Sequence, residues 1–159
     1  MSISEKDLEF LQRAVDLART ALEHGDEPYG SVLVSEAGQV LFEDHNHVVE
    51  LDPTEHPEFA IARWAGRHLT PSERASATVY TSGEHCPMCS AAHGWAGLGR
   101  IVYAVSSAQL SLWLADWGAA PAPVTPYPIS AIVPGVVVDG PAPELEAAVR
   151  ALQEQFLGR

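Results

Sequence analysis

The chain has 159 residues, 47% of them hydrophobic, which fits a single domain over 1–159 with a real core. Its formal net charge is −12 and Lys6 is its only lysine, which weighs against a surface that grips a phosphate backbone through clustered Lys and Arg. The sequence has neither a run of 18 apolar residues nor a basic N-terminal stretch leading into an apolar one, so no membrane span or secretory signal is expected, and a cytoplasmic location is the default.

In chain order, Ser4 and Asp7 read as a helix cap with an acidic first turn. Leu8, Leu11, Val15, Ala18 and Leu22 then recur at spacings of three and four, which predicts a helix over 5–24 that Gly25 ends. The stretches 31–34 and 40–42 flank the turn Glu36-Ala37-Gly38 and read as a β-hairpin. After a polar loop, Pro57 suits the first position of a helix reaching Leu69, because its missing N–H is not needed there. Residues 78–81 read as a buried strand, 87–97 as a helix opened by Pro87, and 101–105 as a third apolar strand. The Pro-rich stretch 118–128 reads as a loop, 129–133 and 136–138 as short strands, and 141–156 as a final helix with Leu145, Val149, Leu152 and Phe156 on one face. Strands alternating with helices predict an α/β sandwich with a partly parallel sheet. Trp64 and Trp95 are expected in the core, and packing is favoured over a ligand pocket for Trp113 and Trp117.

The only cysteines, Cys86 and Cys89, form a C-x-x-C pair, too few for a disulfide framework. With His56 they supply three potential Zn²⁺ ligands, which would leave the fourth tetrahedral position to water, the arrangement of a catalytic site. Glu58 lies two residues beyond His56, where a carboxylate could take a proton from that water and pass it on. Both cysteines fall at the expected start of a helix, where the helix dipole and free N–H groups favour thiolate. Either motif alone says little. A C-x-x-C is as often structural or redox-active as catalytic, and an H-x-E is usually two surface residues. Together, in this order and separated by residues 59–85, they point to a catalytic zinc site.

Pro28-Tyr29-Gly30, Asn46, the run Asp52-Pro53-Thr54-Glu55-His56-Pro57-Glu58, and Glu84-His85-Cys86-Pro87-Met88-Cys89 resemble the cytidine deaminase superfamily, whose signature is H-x-E…P-C-x-x-C. The resemblance covers roughly residues 5–105 and is strongest to the branch holding guanine deaminases and tRNA adenosine deaminases. It implies a three-layer α/β/α sandwich around a mixed five-stranded sheet, a homodimer, zinc held by His56, Cys86 and Cys89, and Glu58 as the proton shuttle. It also implies that Asn46 hydrogen-bonds the substrate and that Tyr29 packs near the ring. The chain departs from the pattern twice: His85 stands where the family has proline, and Pro57 where it has alanine. Both substitutions could reshape substrate recognition, and His85 or His93 could add a fourth metal ligand.

The expected activity is hydrolytic deamination of a free base, with guanine or a related aminopurine ahead of cytosine analogues, triazines and nucleosides. The alternatives are a tRNA-specific adenosine deaminase and a non-catalytic zinc-binding domain. The acidic composition makes a small-molecule partner the leading expectation and a nucleic acid the lesser one.

Overall fold

A computed structural model describes residues 2–158. Its elements are α1 (Glu5–Glu23), β1 (Gly30–Val34), β2 (Val40–His45), α2 (Pro57–His68), α3 (Pro71–Ser76), β3 (Thr78–Gly83), α4 (Pro87–Ala96), β4 (Ile101–Val105), α5 (Ser107–Asp116), α6 (Ile129–Ile132), β5 (Val138–Asp139) and α7 (Pro143–Phe156). Ser4 caps α1 reciprocally: its hydroxyl accepts from the Asp7 N–H, and the Asp7 carboxylate accepts from the Ser4 N–H. The three-four spacing then buries Leu11, Ala14, Val15, Ala18 and Ala21 on one face.

The strands form one sheet in the order β2-β1-β3-β4-β5. β1 is antiparallel to both neighbours, while β3, β4 and β5 run parallel. Side chains alternate across this sheet. Val32, Val34, Tyr80, Val102 and Ala104 pack with α1, α7 and Trp113 of α5. Leu33 and Val79 pack with Ile61, Ala62 and Ala65 of α2 and with Leu98 after α4. The result is the expected three-layer α/β/α sandwich around a mixed five-stranded sheet. Among the described residues, no helix is long and apolar enough to cross a membrane.

Several expectations need correction. Within 129–133, Ile129–Ile132 form helix α6, with Val133 as its C-cap, rather than a strand. The Glu84 carboxylate accepts from the Ile129 N–H at 3.0 Å and from the Ser107 N–H at 2.9 Å, holding the starts of α6 and α5 together. The place beside β4 goes instead to Val138 and Asp139, so only Val138 of 136–138 is in a strand. The last helix begins at Pro143, two residues later than expected. Helices α3 and α5 were not anticipated, although each opens on a capping box, Thr70 with Glu73 and Ser106 with Gln109. Trp95 is 93% exposed on α4, whose buried residues are Cys89, Ser90 and His93. Trp64 is partly buried and stacks between Phe42 and His68. Trp113 is buried, Trp117 packs on the same cluster, and the Arg150 guanidinium lies over both rings.

Candidate metal centre and active site

Helices α2 and α4 bring the two motifs together. His56 is the N-cap of α2, with Pro57 and Glu58 in its first turn. Cys86 is the N-cap of α4, and Cys89 lies in that helix's first turn. The His56 Nδ1 atom lies 3.5 Å from Cys86 Sγ and 3.6 Å from Cys89 Sγ. Tetrahedral zinc with Zn–S of about 2.3 Å and Zn–N of about 2.0–2.1 Å requires N···S separations of about 3.6 Å. The three donors therefore fit a zinc ion in both chemistry and spacing, with all three ligand atoms within 4.8 Å of one another. The Cys86 thiol is held down at about 4, chiefly by the hydrogen bond with Cys89 and then by His56, against the upward pull of burial. The same interaction and burial push the Cys89 thiol upward. The two sulfurs thus share a proton that zinc would displace.

Neither His85 nor His93 joins this cluster as a fourth ligand. His85 is 1% exposed, so it is not a surface histidine; its ring meets His93 edge-on at 5.2 Å. His93 Nε2 is 2.8 Å from the Gly99 carbonyl. Burial, then the neighbouring His93, drives the His85 pKa well below its ordinary value, so the ring is neutral.

Glu58 is 6% exposed. Two hydroxyls that sequence reasoning missed stand against the same carboxylate oxygen: Ser31 Oγ is 2.9 Å and Thr81 Oγ1 3.0 Å from Glu58 Oε1. These residues face each other across the β1–β3 ladder. The available signal was a polar residue inside each of two fully buried strand segments. Burial raises the Glu58 pKa, against the pull of His56 and of these hydroxyls. Glu27, also missed, is partly buried; burial raises its pKa while His56 opposes the shift.

Asn46 follows β2 and is 1% exposed. Its Oδ1 accepts from the Val48 N–H at 2.8 Å, forming an Asx turn, while its Nδ2 has no partner among the described residues. The turn role and an open donor therefore coexist in one side chain. Asn46 N–H also donates to the Tyr29 carbonyl at 3.0 Å. The Tyr29 ring rests against Gly83, where an added Cβ would come within 3.3 Å of it. Burial, then Glu27 and Glu58, keep the phenol protonated. Gln153 of α7 donates to the Pro28 carbonyl at 3.3 Å, so the C-terminal helix braces this wall. Pro57 is buried at the first position of α2.

Sequence comparison shows similarity to a probable cytosine deaminase of Schizosaccharomyces pombe, 33% identical over 68% of this chain and 65% of that protein. It also shows similarity to the tRNA-specific adenosine deaminase of Haemophilus influenzae, 32% identical over 65% of this chain and 60% of that protein. The guanine deaminase of Bacillus subtilis is 38% identical over 60% of this chain and 62% of that protein. Its solved structure superposes with a TM-score of 0.55, covering 76% of this chain and 81% of that one at 29% identity. The chain thus spans under two thirds of the length of these relatives. Residues 4–105 match the model of the cytidine and deoxycytidylate deaminase zinc-binding region. With the His56, Cys86 and Cys89 donors converged beside a buried Glu58, the chain belongs to that zinc-binding deaminase family.

Proposed function

We propose that this chain is a zinc-dependent hydrolytic deaminase of a free nucleobase or related amino-heterocycle, with a guanine-like aminopurine as the leading substrate class. The observation that carries the reading is Glu58, buried and anchored through Oε1 beside the His56, Cys86 and Cys89 donors. His56, Cys86 and Cys89 would hold the zinc, which supplies water activated toward hydroxide near neutral pH. With Oε1 held by hydroxyls, the other oxygen of Glu58 would be the one that carries a proton. Glu58 takes that proton from the attacking water and delivers it to the ring nitrogen next to the amino-bearing carbon. A second transfer reaches the departing amine, so water replaces the amino group and ammonia leaves. The Asn46 amide offers a donor, since its oxygen is committed to the turn, and so suits a carbonyl oxygen or bare ring nitrogen on the substrate. The neutral Tyr29 phenol lies in the field of Glu58 and Cys86 and would border the substrate, and we assign His85, next to Cys86 in the chain, to the same wall. We further propose that the protein is a cytoplasmic homodimer and that residues 1–159 act as one deaminase domain.

Similarity to the guanine deaminase of Bacillus subtilis and the acidic composition support the free-base reading. Similarity to the Haemophilus influenzae enzyme keeps tRNA adenosine as the second reading. The test is ammonia release by zinc-loaded protein from a panel of bases, nucleosides and triazines, with Glu58→Ala as the control. We expect turnover of at least one aminopurine and its loss by at least 10²–10⁴-fold in the variant, which retains zinc. A zinc-loaded wild type that releases ammonia from none of the panel overturns the free-base reading.

A further inference from the structure

The segment after β2 carries a second group of titratable side chains with a different geometry. His47 has both ring nitrogens on carboxylates: Nε2 lies 2.9 Å from Asp44 Oδ1 and Nδ1 lies 2.9 Å from Glu50 Oε2. Asp26 approaches from the turn between α1 and β1, and its Oδ1 accepts the Val49 and Glu50 N–H groups at 2.8 and 3.0 Å. Asp26 is 1% exposed and its second oxygen has no partner among the described residues. The His45 ring lies 4.3 Å from that of His47, and His24 lies against His45. A neutral imidazole has one N–H and can donate to only one carboxylate, whereas an imidazolium donates to both. The group could also be read as a cation site. The spacing argues otherwise: both His47 contacts are hydrogen-bond lengths, shorter than the donor separations at the zinc cluster.

The same turn holds Asn46. Its Oδ1 accepts from Val48, the residue between His47 and the Asp26-capped N–H groups, and the Leu51 N–H closes the turn onto the His47 carbonyl. We propose that His47, as an imidazolium bridging Asp44 and Glu50, is a positioning residue that fixes the 46–51 turn and so aims the open Asn46 amide at the substrate. The positioning claim rests on the deaminase reading above; the clamp itself does not. One positive charge on His47, with Asp44 in one group around it and Asp26 and Glu50 in another, also offsets the negative charge on both sides. Burial lowers the His47 pKa, but the hydrogen bonds to Glu50 and Asp44 and the charges of both outweigh it, so the net shift is upward. A raised histidine pKa means the clamp is complete below about 6.5, the ordinary value, and is lost as pH rises through the folded-state value.

The test compares wild type with His47→Gln, both zinc-loaded. Amide hydrogen exchange of Val48, Val49 and Glu50 reads the clamp without any substrate. We expect about tenfold faster exchange at these three amides in His47→Gln, equivalent to the loss of one hydrogen bond. In wild type the same acceleration, beyond the intrinsic pH dependence of exchange, develops only as pH rises. With the best substrate of the panel, KM should rise about tenfold while kcat changes less than twofold, one hydrogen bond's worth of binding lost with the proton shuttle intact. Unchanged exchange in a folded variant overturns the clamp. Faster exchange with unchanged KM overturns the positioning role. A second equivalent of zinc in wild type that His47→Gln loses overturns the imidazolium assignment. Absence of turnover in wild type counts against the deaminase reading, and the clamp is then decided by exchange alone.

Discussion

At Pro57 the first position of α2 has no N–H to give, although the residue is buried between a metal-ligand candidate and the Glu58 carboxylate. An alanine there would present a backbone donor at the helix start, where N–H groups have no intrahelical partner. A substrate whose acceptor falls opposite Pro57 goes unpaired, at a cost of about 1–3 kcal/mol, and each 1.4 kcal/mol is about tenfold in selectivity. Pro57→Ala should therefore change the ratio of kcat/KM for guanine against a ring analogue by about tenfold or more. The check is that ratio in folded, zinc-loaded wild type and variant, and an unchanged ratio across the base panel would remove Pro57 from substrate selection. The residues whose chemistry forms a spaced pattern, His56, Glu58, Cys86 and Cys89, were legible in the sequence. Ser31 and Thr81 were not: each is an ordinary strand residue until the β1–β3 register sets both against one carboxylate. Asn46 was legible as a substrate contact only through the family resemblance, because no sequence shows that one amide oxygen can be committed to a turn while its nitrogen stays open.

At the scale of elements, Arg100 ties the start of β4 to α1 and β5. Its Nη1 and Nη2 donate to the two oxygens of Asp7 at 2.7 and 3.1 Å, and its Nε donates to Asp139 at 2.8 Å. Tyr80 of β3 donates to Asp7 at 2.7 Å, so four elements meet at one carboxylate and its partner. Burial pulls the Asp7 pKa up, but Arg100, Ser4 and Tyr80 outweigh it and hold the carboxyl well below the usual range. Arg100→Met would keep the packing of the stem while removing the guanidinium that neutralises two buried acids, a change that costs up to about 3–5 kcal/mol when one partner of a buried pair is removed. Urea unfolding at pH 7 measures it. A loss below about 1 kcal/mol, the range of an exposed pair, would show that the network is not a structural tie. Nothing in the sequence signals this: Asp7 and Arg100 are separated by 93 positions and share no motif. Helices α1, α2, α4 and α7 and the main strands were readable because one apolar face or one apolar run specifies each. The stretch 129–133 reads as a strand because its hydrophobicity suits one, and the sequence does not show that the distant Glu84 carboxylate accepts the Ile129 N–H at the start of α6.

The charge of the whole molecule separates the two substrate readings. Twenty-one acidic residues face nine basic ones, giving a formal net charge of −12. Several of those basic groups are already engaged: Arg13 pairs with Glu43, Arg100 with Asp7 and Asp139, and Arg150 with Glu154. A protein that makes 6–10 phosphate contacts loses about 10³–10⁵ in affinity between 50 and 200 mM salt, because each contact releases condensed counterions. A neutral base releases none, and the surface charges that surround it are screened over about 10 Å at 0.1 M. Pairing two copies as a homodimer would add acid to acid and raise the barrier to a polyanion further. We therefore expect kcat/KM on the best free base to vary by less than about twofold over that salt range. A tRNA anticodon stem-loop, added in excess at 50 mM salt, should leave the rate unchanged. Ammonia release with the stem-loop as competitor, followed across the salt range, measures both. Strong inhibition by the stem-loop that fades steeply with salt would mean that the arginines gather into a phosphate-binding face despite the overall charge, and the tRNA adenosine reading would then displace the free-base one.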